Sequence, residues 1–181
     1  YISVKDTHKE DNMDLYLDFD GVLLDTINVS YKMMEELGID LKDRTKVTEF
    51  YKNLDWVNLL NISEELAKSF YYINEIYNEH IFNPRILTTV NSLNEMKAKI
   101  EYIRTKNNDI SVICVPNGIN KCKVVNATNS FLVDDYSHNL INWEQEGGIG
   151  IKFSNKQSDN FITTNSLDIF TKNKLTKRLL K

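Results

Sequence analysis

Short apolar runs alternate with amphipathic helical segments along most of the 181-residue chain. The first run, Leu15 to Phe19, is bounded by acidic residues and Gly21, as expected for a buried strand. Further strands are predicted at residues 85–89, 110–115, 130–133 and 149–153. Because helical segments separate most of these strands, the pattern predicts an α/β fold with a doubly wound parallel sheet.

One long stretch interrupts the alternation after the first strand. Residues 26–37 are predicted to form a helix that follows Asp25 and is closed by Gly38. Residues 39–83 contain no convincing strand, and the apolar positions of residues 64–82 recur at three- and four-residue steps. The whole region is therefore predicted to be a small helical module.

The chain accordingly divides into three predicted parts. Met13 directly precedes the first apolar strand, so the polar residues before it are expected to be a flexible extension or a remnant outside the fold. The parts are the extension 1–12, the α/β core formed by 13–25 and 84–181, and the helical insert 26–83.

Two helices of the core can also be predicted. The segment Ser92-Leu93-Asn94-Glu95 is a capping box that begins a helix, whose apolar stripe would be Leu93, Met96, Ile100 and Ile103. A basic terminal helix is predicted from Ser166, and its lysines are interpreted as a solvated face.

Composition excludes several classes of protein. A chain with 41% hydrophobic residues and a net charge of -4 is globular and has no general attraction to nucleic acid or anionic lipid. The two cysteines, Cys114 and Cys122, argue against a disulfide framework or a zinc site. No apolar run approaches the roughly 18 residues of a membrane span, and no signal peptide is visible. We expect a cytoplasmic protein that binds neither a membrane nor, stably, a nucleic acid.

The polar residues at the strand ends are the candidates for chemistry, because ligands of open parallel sheets bind beyond the carboxyl ends of the strands. They come from four separate segments of the chain: Asp18 with Asp20, Thr88 or Thr89, Lys121, and Asp134 with Asp135. Clustered carboxylates need a cation, and oxygen ligands of this kind suit Mg²⁺. A lysine and a hydroxyl group can hold the oxygens of a phosphoryl group. The set therefore predicts phosphoryl transfer with Mg²⁺ as the cofactor.

The order of these groups resembles the haloacid dehalogenase (HAD) superfamily of phosphatases in all four of its motifs. The first motif reads Asp18-Phe19-Asp20-Gly21-Val22 with Asp25-Thr26, followed by a strand-end threonine, a lysine and an apolar strand that closes in Asp134-Asp135. The resemblance covers Leu15 to about Phe153, and the helical insert resembles the C1 cap of that superfamily. Residues 131–153 look more narrowly like the 5'(3')-deoxyribonucleotidase branch.

The resemblance implies a role for each candidate residue. Asp18 would be the nucleophile, which forms a covalent aspartyl-phosphate and so divides hydrolysis into two easier steps. Asp20 would be the general acid and base, because its position two residues further along an extended strand end lets its carboxyl reach the leaving oxygen. Thr88 would donate a hydrogen bond to a phosphate oxygen, and Thr89 is the alternative if the strand ends one residue later.

The remaining groups would neutralise charge. Lys121 would bind the phosphate and orient Asp18, with Lys123 as the alternative. The implied magnesium ligands are the Asp18 carboxylate, the backbone carbonyl of Asp20, Asp134 and Asp135. Asp25 is interpreted as a helix N-cap and not as a further site carboxylate. Ordinary surface or core roles are assigned to His80, His138 and Cys114.

Other functions draw on similar residues. Receiver domains of signalling proteins use the same residue types, but they place the acidic pair first and the acceptor aspartate after the third strand. A calcium loop beginning at Asp18 would need a glutamate where Val29 stands. A non-catalytic HAD-like scaffold is a further alternative. The chain alone does not determine an oligomeric state.

The predicted substrate is a small phosphate monoester. A nucleoside or deoxynucleoside monophosphate is the leading prediction, and a sugar phosphate or another small metabolite is the alternative. Nine aromatic residues lie between Thr26 and Pro84, and a nucleobase could stack on one or two of them, although most are expected to be core.

Overall fold

The computed structural model describes residues 12–174 and is built around a six-stranded sheet. The strands are β1 (Met13–Leu17), β2 (Phe82–Val90), β3 (Ser111–Pro116), β4 (Phe131–Asp134), β5 (Ile149–Phe153) and β6 (Ile162–Thr164). Their order across the sheet is β3-β2-β1-β4-β5-β6, and all neighbouring strands run parallel. The predicted α/β fold with a doubly wound parallel sheet is therefore confirmed.

The helices connect the strands and cover both faces of the sheet. They are α1 (Thr26–Glu36), α2 (Arg44–Asn53), α3 (Trp56–Ile62), α4 (Ser69–Glu79), α5 (Leu93–Lys106) and α6 (Ser137–Gln145). Helices α1 to α4 lie between β1 and β2, where the helical insert was expected, while α5 joins β2 to β3 and α6 joins β4 to β5. Among the described residues, no helix is both long enough and apolar enough to cross a bilayer.

Strand β1 is buried on both faces, which explains its nearly continuous apolar run. Leu15 and Leu17 belong to the hydrophobic cluster on one face of the sheet. Tyr16 belongs to the cluster on the other face, where its ring meets the fully buried Trp143 of α6 edge to face at 5.2 Å between centroids. The central strand is thus fixed from both sides, and so is the position of the residue that follows it.

The helical insert packs into the same hydrophobic cluster as the sheet. Trp56 and Leu59 of α3 and Phe70 of α4 are buried together with Leu15 and Leu17. The sheet and the insert thus share one continuous hydrophobic cluster. The division of the chain into a core and a separate helical part stays a prediction.

Backbone hydrogen bonds fasten the insert to the sheet just beyond β1. Leu24 and Glu65 form an antiparallel bridge. On either side of it, the Asp25 N–H donates to the Glu64 carbonyl at 2.9 Å and the Leu66 N–H donates to the Leu23 carbonyl at 2.9 Å. The chain just before the insert is therefore held to residues 64–66 within it, beside the end of β1.

Several predicted boundaries were wrong. Strand β2 begins at Phe82, so Phe82 and Asn83 belong to the sheet and not to the insert, and α4 ends at Glu79. Strand β6 was not predicted, because it has only three residues and its one large apolar side chain, Ile162, is exposed. Short edge strands of this kind carry too little alternation to be read from sequence.

The predicted apolar stripe of α5 is only partly buried: Ile103 is buried, Met96 and Ile100 are half-buried, and Leu93 is exposed. Leu93 is 76% exposed, and the side chains buried on this helix include Glu95, Ala98, Lys99 and Ile103. Glu95 and Lys99, which lie outside the predicted stripe, are buried as an oppositely charged pair. The charges neutralise each other, which allows both to be buried.

The predicted terminal helix lies only partly within the described chain. From Ser166 the structure shows a 3-10 helix at Leu167–Phe170, and Phe170 packs edge to face on Phe82 at 5.3 Å between ring centroids. Residues 1–11 and 175–181 lie outside the described residues.

Candidate active site

The candidate site lies at the carboxyl ends of the neighbouring strands β1 and β4. The chain continues from β1 to β2 on one side of this pair and from β4 to β5 on the other, an arrangement that leaves a crevice where ligands bind. Asp18 directly follows β1, and its N–H donates to the Val133 carbonyl of β4 at 2.9 Å. Asp134 is the last residue of β4. The parallel pairing of these two strands therefore sets their acidic ends side by side.

Three carboxylates meet at this edge. Asp18, Asp134 and Asp135 each offer an oxygen within 4.8 Å of the oxygens of the other two. Gly21 makes room for them, because a Cβ at this position would overlap the Asp135 carboxylate. Its φ of +72° also belongs to the left-handed region that favours glycine.

Asp18 is buried, and one of its oxygens is fully engaged. Its Oδ1 accepts a hydrogen bond from the Phe19 N–H at 2.8 Å and lies 2.8 Å from Lys121 Nζ. Burial raises the pKa of Asp18 to about 7, with the charges of Asp134 and Asp20 adding to the effect and Lys121 opposing it. Within the described chain, no hydrogen bond reaches Oδ2, which leaves this oxygen open for reaction.

The Lys121 ammonium contacts two carboxylates of the acidic cluster. It is 2.7 Å from Asp134 Oδ2 and 2.8 Å from Asp18 Oδ1, and the residue is only 2% exposed. Burial alone would lower the pKa of Lys121, but the two carboxylates outweigh it and the pKa is raised. The alternative, Lys123, is exposed and pairs with Glu146 at 2.6 Å, so only Lys121 reaches the site.

The two aspartates after β4 are held differently. Asp134 accepts hydrogen bonds from the Tyr136 N–H at 2.8 Å and from Asn139 Nδ2 at 2.9 Å. Burial and the neighbouring charge of Asp134 raise the pKa of Asp135 to about 6, and Lys152 opposes the shift. The Lys152 ammonium donates to the backbone carbonyl of Asp135. Asp134 is thus rigidly oriented, whereas the carboxylate of Asp135 is free to bind a ligand.

The cluster fits a magnesium ion. All its donors are carboxylate oxygens, the ligand type that Mg²⁺ prefers. Burial and the neighbouring carboxylates raise the pKa of both Asp18 and Asp135, and a bound divalent cation would favour their ionised forms. Asp18, Asp134 and Asp135 could hold it, and the backbone carbonyl of Asp20 as a further ligand stays a prediction.

Asp20 faces away from the acidic cluster, toward a cavity. Its Oδ1 accepts a hydrogen bond from Thr26 Oγ1 at 2.7 Å, and its Oδ2 lies 2.5 Å from Lys99 Nζ. Its side chain is 24% exposed and lines the cavity. The two aspartates of the first motif therefore have different contacts: Asp18 pairs with Lys121, and Asp20 pairs with Lys99 and Thr26.

The two threonines at the end of β2 differ in the same way. Thr88 is fully buried, and its hydroxyl accepts a hydrogen bond from Lys99 Nζ at 3.2 Å. Thr89 is partly exposed and lines the same cavity as Asp20. Sequence reasoning placed Thr88 first, but the geometry favours Thr89 as the residue that can reach a ligand.

Sequence reasoning missed Lys99 and the role of Glu95. The predicted cap is partly present, since Ser92 Oγ accepts from the Glu95 N–H at 3.1 Å. The Glu95 carboxylate instead accepts from the Asn91 N–H at 2.7 Å and pairs with Lys99 at 2.7 Å. A Glu–Lys pair four residues apart is typical of a solvated helix face. The sequence signal that could have revealed the Glu95–Lys99 pair as part of the site is its position in the first turns of the helix that follows β2.

The cavity beside Asp20 has a volume of about 180 Å³ and lies between the strand ends and the insert. Of the nine aromatic residues of the insert region, Tyr51 and Trp56 line it. Their rings are stacked, with centroids 6.0 Å apart, and the Tyr51 hydroxyl lies 3.0 Å from Ser30 Oγ. The cavity thus offers an aromatic wall and hydroxyl groups.

The residues set aside by sequence reasoning lie away from the acidic cluster. Asp25 does precede α1, but its carboxylate accepts from Asn28 Nδ2 at 2.8 Å and makes no side-chain cap. His80 and His138 are exposed, and Cys114 is half-buried in β3.

Comparisons with known proteins give similarity of fold and not of sequence. No family model matches the chain, and no curated protein matches it. Among solved structures, a HAD-superfamily hydrolase from Ehrlichia chaffeensis covers 93% of this chain and 97% of its own, with a TM-score of 0.56 at 12% identity.

Two further structures agree. A haloacid dehalogenase-like family hydrolase from Xanthomonas campestris has a TM-score of 0.60 at 11% identity, covering 93% of this chain and 91% of its own. A HAD-superfamily hydrolase of subfamily IA, variant 1, from Geobacter sulfurreducens has a TM-score of 0.59 at 10% identity, covering 87% and 97%. The chain has the Rossmann-like α/β fold of these HAD-superfamily hydrolases.

Proposed function

We propose that the chain is a HAD-superfamily phosphatase that hydrolyses small phosphate monoesters with Mg²⁺ through an aspartyl-phosphate at Asp18. The observation that carries this proposal is the placement of Asp18 itself. It is a buried carboxylate at the end of the central strand, between the Lys121 ammonium and the carboxylates of Asp134 and Asp135. A phosphoryl group bound there would meet a nucleophile, a fixed positive charge and a cation site.

The first step transfers the phosphoryl group to the protein. Asp18 Oδ2 attacks phosphorus, the bond between phosphorus and the ester oxygen breaks, and its electron pair goes to the leaving oxygen. Asp20 donates a proton to that oxygen, which leaves as an alcohol. Lys121 holds Asp18 through Oδ1, so Oδ2 is the oxygen directed at phosphorus.

The second step returns the protein to its starting state. Asp20, now a carboxylate, takes a proton from water while the water oxygen attacks phosphorus. The bond from phosphorus to Asp18 breaks, its electron pair returns to the Asp18 carboxylate, and phosphate departs. A bound Mg²⁺ would neutralise part of the phosphate charge in both steps. Thr89, which lines the cavity, would donate to a phosphate oxygen.

A nucleoside or deoxynucleoside monophosphate is our leading substrate class. The stacked rings of Tyr51 and Trp56 support it, because a base that enters the cavity would meet an aromatic wall. Trp56 is only 4% exposed, so Tyr51 is the ring that a base could contact most fully.

The cavity volume favours a second candidate class, sugar phosphates or other small metabolite phosphates. At about 180 Å³ the cavity is smaller than the roughly 300–1,000 Å³ common for drug-sized ligands. Its hydroxyl groups, Ser30 and Tyr51, could bind the hydroxyls of a compact polyol.

The test is phosphate release from a panel of nucleoside monophosphates, sugar phosphates and a chromogenic aryl phosphate, with Mg²⁺ or with EDTA. Asp18→Asn is compared with wild type and with Asp25→Asn, a control whose carboxylate pairs with Asn28 away from the acidic cluster. We expect Mg²⁺-dependent release by wild type and Asp25→Asn and none by Asp18→Asn.

The best substrate of the panel decides between the nucleotide and small-metabolite classes. Folded wild-type protein that releases no phosphate from any compound in Mg²⁺ would contradict the proposal and favour a non-catalytic scaffold.

A further inference from the structure

Lys99 is a fully buried ammonium group in contact with Asp20. Its Nζ lies 2.5 Å from Asp20 Oδ2 and 2.7 Å from Glu95 Oε1, and the side chain is 0% exposed. It also donates to Thr88 Oγ1 at 3.2 Å and to the Thr89 carbonyl at 3.1 Å. Every donor of this ammonium is therefore directed at the end of β2 or at an acidic side chain.

The surroundings of Lys99 leave it little freedom to move. Its Nζ lies 5.4 Å from the centre of the Phe19 ring and 5.3 Å from that of Trp56. Glu95, which is also buried, holds it from one turn earlier on α5 and is itself bound by the Asn91 N–H at 2.7 Å. A buried charge is tolerated only when it is paired and hydrogen-bonded, and this one is.

The contact with Asp20 goes beyond what burial of Lys99 needs. Glu95 alone could neutralise the ammonium, yet the shorter contact is made to Asp20. Thr26 holds the other oxygen, Oδ1, at 2.7 Å. Both oxygens of the carboxylate are thereby fixed, while each retains a lone pair that can exchange a proton with a substrate in the cavity.

We propose that Lys99, anchored by Glu95, is a positioning residue that fixes the Asp20 carboxylate in the orientation needed for proton transfer. The inference rests on the proposed function, in which Asp20 protonates the leaving oxygen. Lys99 does not reach the acidic cluster of Asp18, so it acts on proton transfer and not on nucleophilic attack. A displaced acid–base residue can cost about 10² in rate.

This role has a signature that a merely structural lysine would lack. An aryl phosphate with a good leaving group departs with little help from a general acid, whereas an alkyl phosphate needs protonation, which contributes about 10²–10⁴ in rate. Loss of Lys99 should therefore slow the first step, transfer of the phosphoryl group to Asp18, far more with alkyl phosphates than with aryl phosphates. General damage to the fold or to magnesium binding would slow both alike.

The test variant combines Glu95→Gln with Lys99→Met. Lys99→Met alone would leave Glu95 buried without its partner, which is strongly destabilising, whereas removal of both charges is commonly tolerated. Lys97→Met, which removes a 75% exposed lysine from the same helix, serves as the control.

We expect the double variant to lose about 10² or more in kcat/KM on an alkyl phosphate and less than about tenfold on an aryl phosphate, because kcat/KM excludes hydrolysis of the aspartyl-phosphate, a step common to both esters. The Lys97→Met control should keep the wild-type ratio of the two kcat/KM values. In an Asp20→Asn background the double change should add almost nothing, because a residue that acts through Asp20 has nothing left to position.

Equal losses on the two esters, or additive losses in the Asp20→Asn background, would overturn the role of Lys99. If the double variant does not fold, Lys99→Gln, whose amide keeps a donor in the buried site, is measured against the same two outcomes. Failure of the proposed function is separately visible, because the wild-type protein would then release no phosphate from either ester.

Discussion

Gly21 lies directly after Asp20 at a turn with a φ of +72°, and a Cβ at this position would overlap the Asp135 carboxylate. The glycine therefore serves two purposes at the scale of a single residue. It allows the chain to turn after β1, and it leaves room for the Asp135 carboxylate at the end of β4. Gly38 has a similar φ of +67°, but a Cβ at that position would meet no atom within 4 Å.

We expect Gly21→Ala to lower magnesium affinity or phosphatase activity by about 10–100-fold, as displacement of a ligand's supporting contacts typically does. Gly38→Ala is the matched control, because both variants carry a similar backbone cost of about 1–2 kcal/mol and only one displaces Asp135. Titration calorimetry with Mg²⁺ and phosphate release measure the two effects. Equal changes in both variants would show that Gly21 matters only for its backbone.

Single residues also show how far the site could be predicted. Asp18, Lys121 and Asp134 were foreseen because parallel strands bring their carboxyl ends to one edge, and the structure does bring these three together. Lys99 could not be foreseen, since its pairing with Glu95 has the spacing of an exposed helix pair. Only the packing of α5 against the strand ends shows that both charges are buried.

At the scale of elements, α2 and α3 determine what can enter the cavity. Tyr51 of α2 and Trp56 of α3 form its aromatic wall, and Trp56 Nε1 donates to the Tyr51 carbonyl at 3.1 Å. The rings are therefore held by both stacking and a hydrogen bond. Among the other aromatic residues of this region, Phe70 and Phe82 are in the core and Phe50 and Tyr72 pack against it, whereas Tyr31 and Tyr71 are exposed.

If the nucleotide class is correct, Tyr51→Leu should change the ratios of kcat/KM among nucleotides by about 2- to 13-fold, the effect of losing one aromatic stacking contact of about 0.5–1.5 kcal/mol. The rate with a chromogenic aryl phosphate should change less. Tyr71→Leu, at a position 56% exposed and outside the cavity, is the control. Equal losses on all substrates would exclude stacking as the source of selectivity, and the measurement is kcat/KM across the panel.

Elements also differ in how well their sequence predicts them. Strand β5 was predicted at its observed bounds, Ile149–Phe153, because Gly147 and Gly148 punctuate a compact apolar run. The start of β2 was missed because Asn83-Pro84 signals the end of a helix. In the structure, Pro84 lies within a strand that pairs with β1 and β3.

At the scale of the whole molecule, the acidic cluster links stability to pH and metal. The pKa of Asp18 is raised from 3.8 to about 7, and that of Asp135 from 3.8 to about 6. Between about pH 4 and pH 7 the folded protein binds more protons than the unfolded chain, so the contribution of the site to stability falls as pH rises. The free-energy cost of ionising these two buried carboxylates is absent below about pH 4 and fully present above about pH 7.

Magnesium should remove this cost most effectively where the carboxylates are ionised, because protons compete with the metal for the same oxygens. Mg²⁺ at about one hundred times its dissociation constant should stabilise the protein by about 2.7 kcal/mol, or about 5–10 °C in Tm, near pH 8. Near pH 5 the rise should be less than about half as large.

Thermal melts with and without Mg²⁺ at the two pH values measure this difference. Asp135→Asn should lose most of the rise in Tm, and Asp25→Asn, whose carboxylate lies outside the cluster, should keep it. A rise that is the same at both pH values, or that survives in Asp135→Asn, would place magnesium binding elsewhere.

The central claim is that Asp18 becomes phosphorylated, and the most direct measurement is detection of that intermediate. The Asp20→Asn variant is mixed with an aryl phosphate and Mg²⁺, quenched in acid, and analysed by intact and peptide mass spectrometry. Departure of an aryl group needs little acid catalysis, while the second step lacks its base, so the intermediate should accumulate. We predict one added phosphoryl group on the peptide that carries Asp18, and none in the Asp18→Asn protein. Phosphate release without a covalent phosphoryl group, or a phosphoryl group on another residue, would contradict the account.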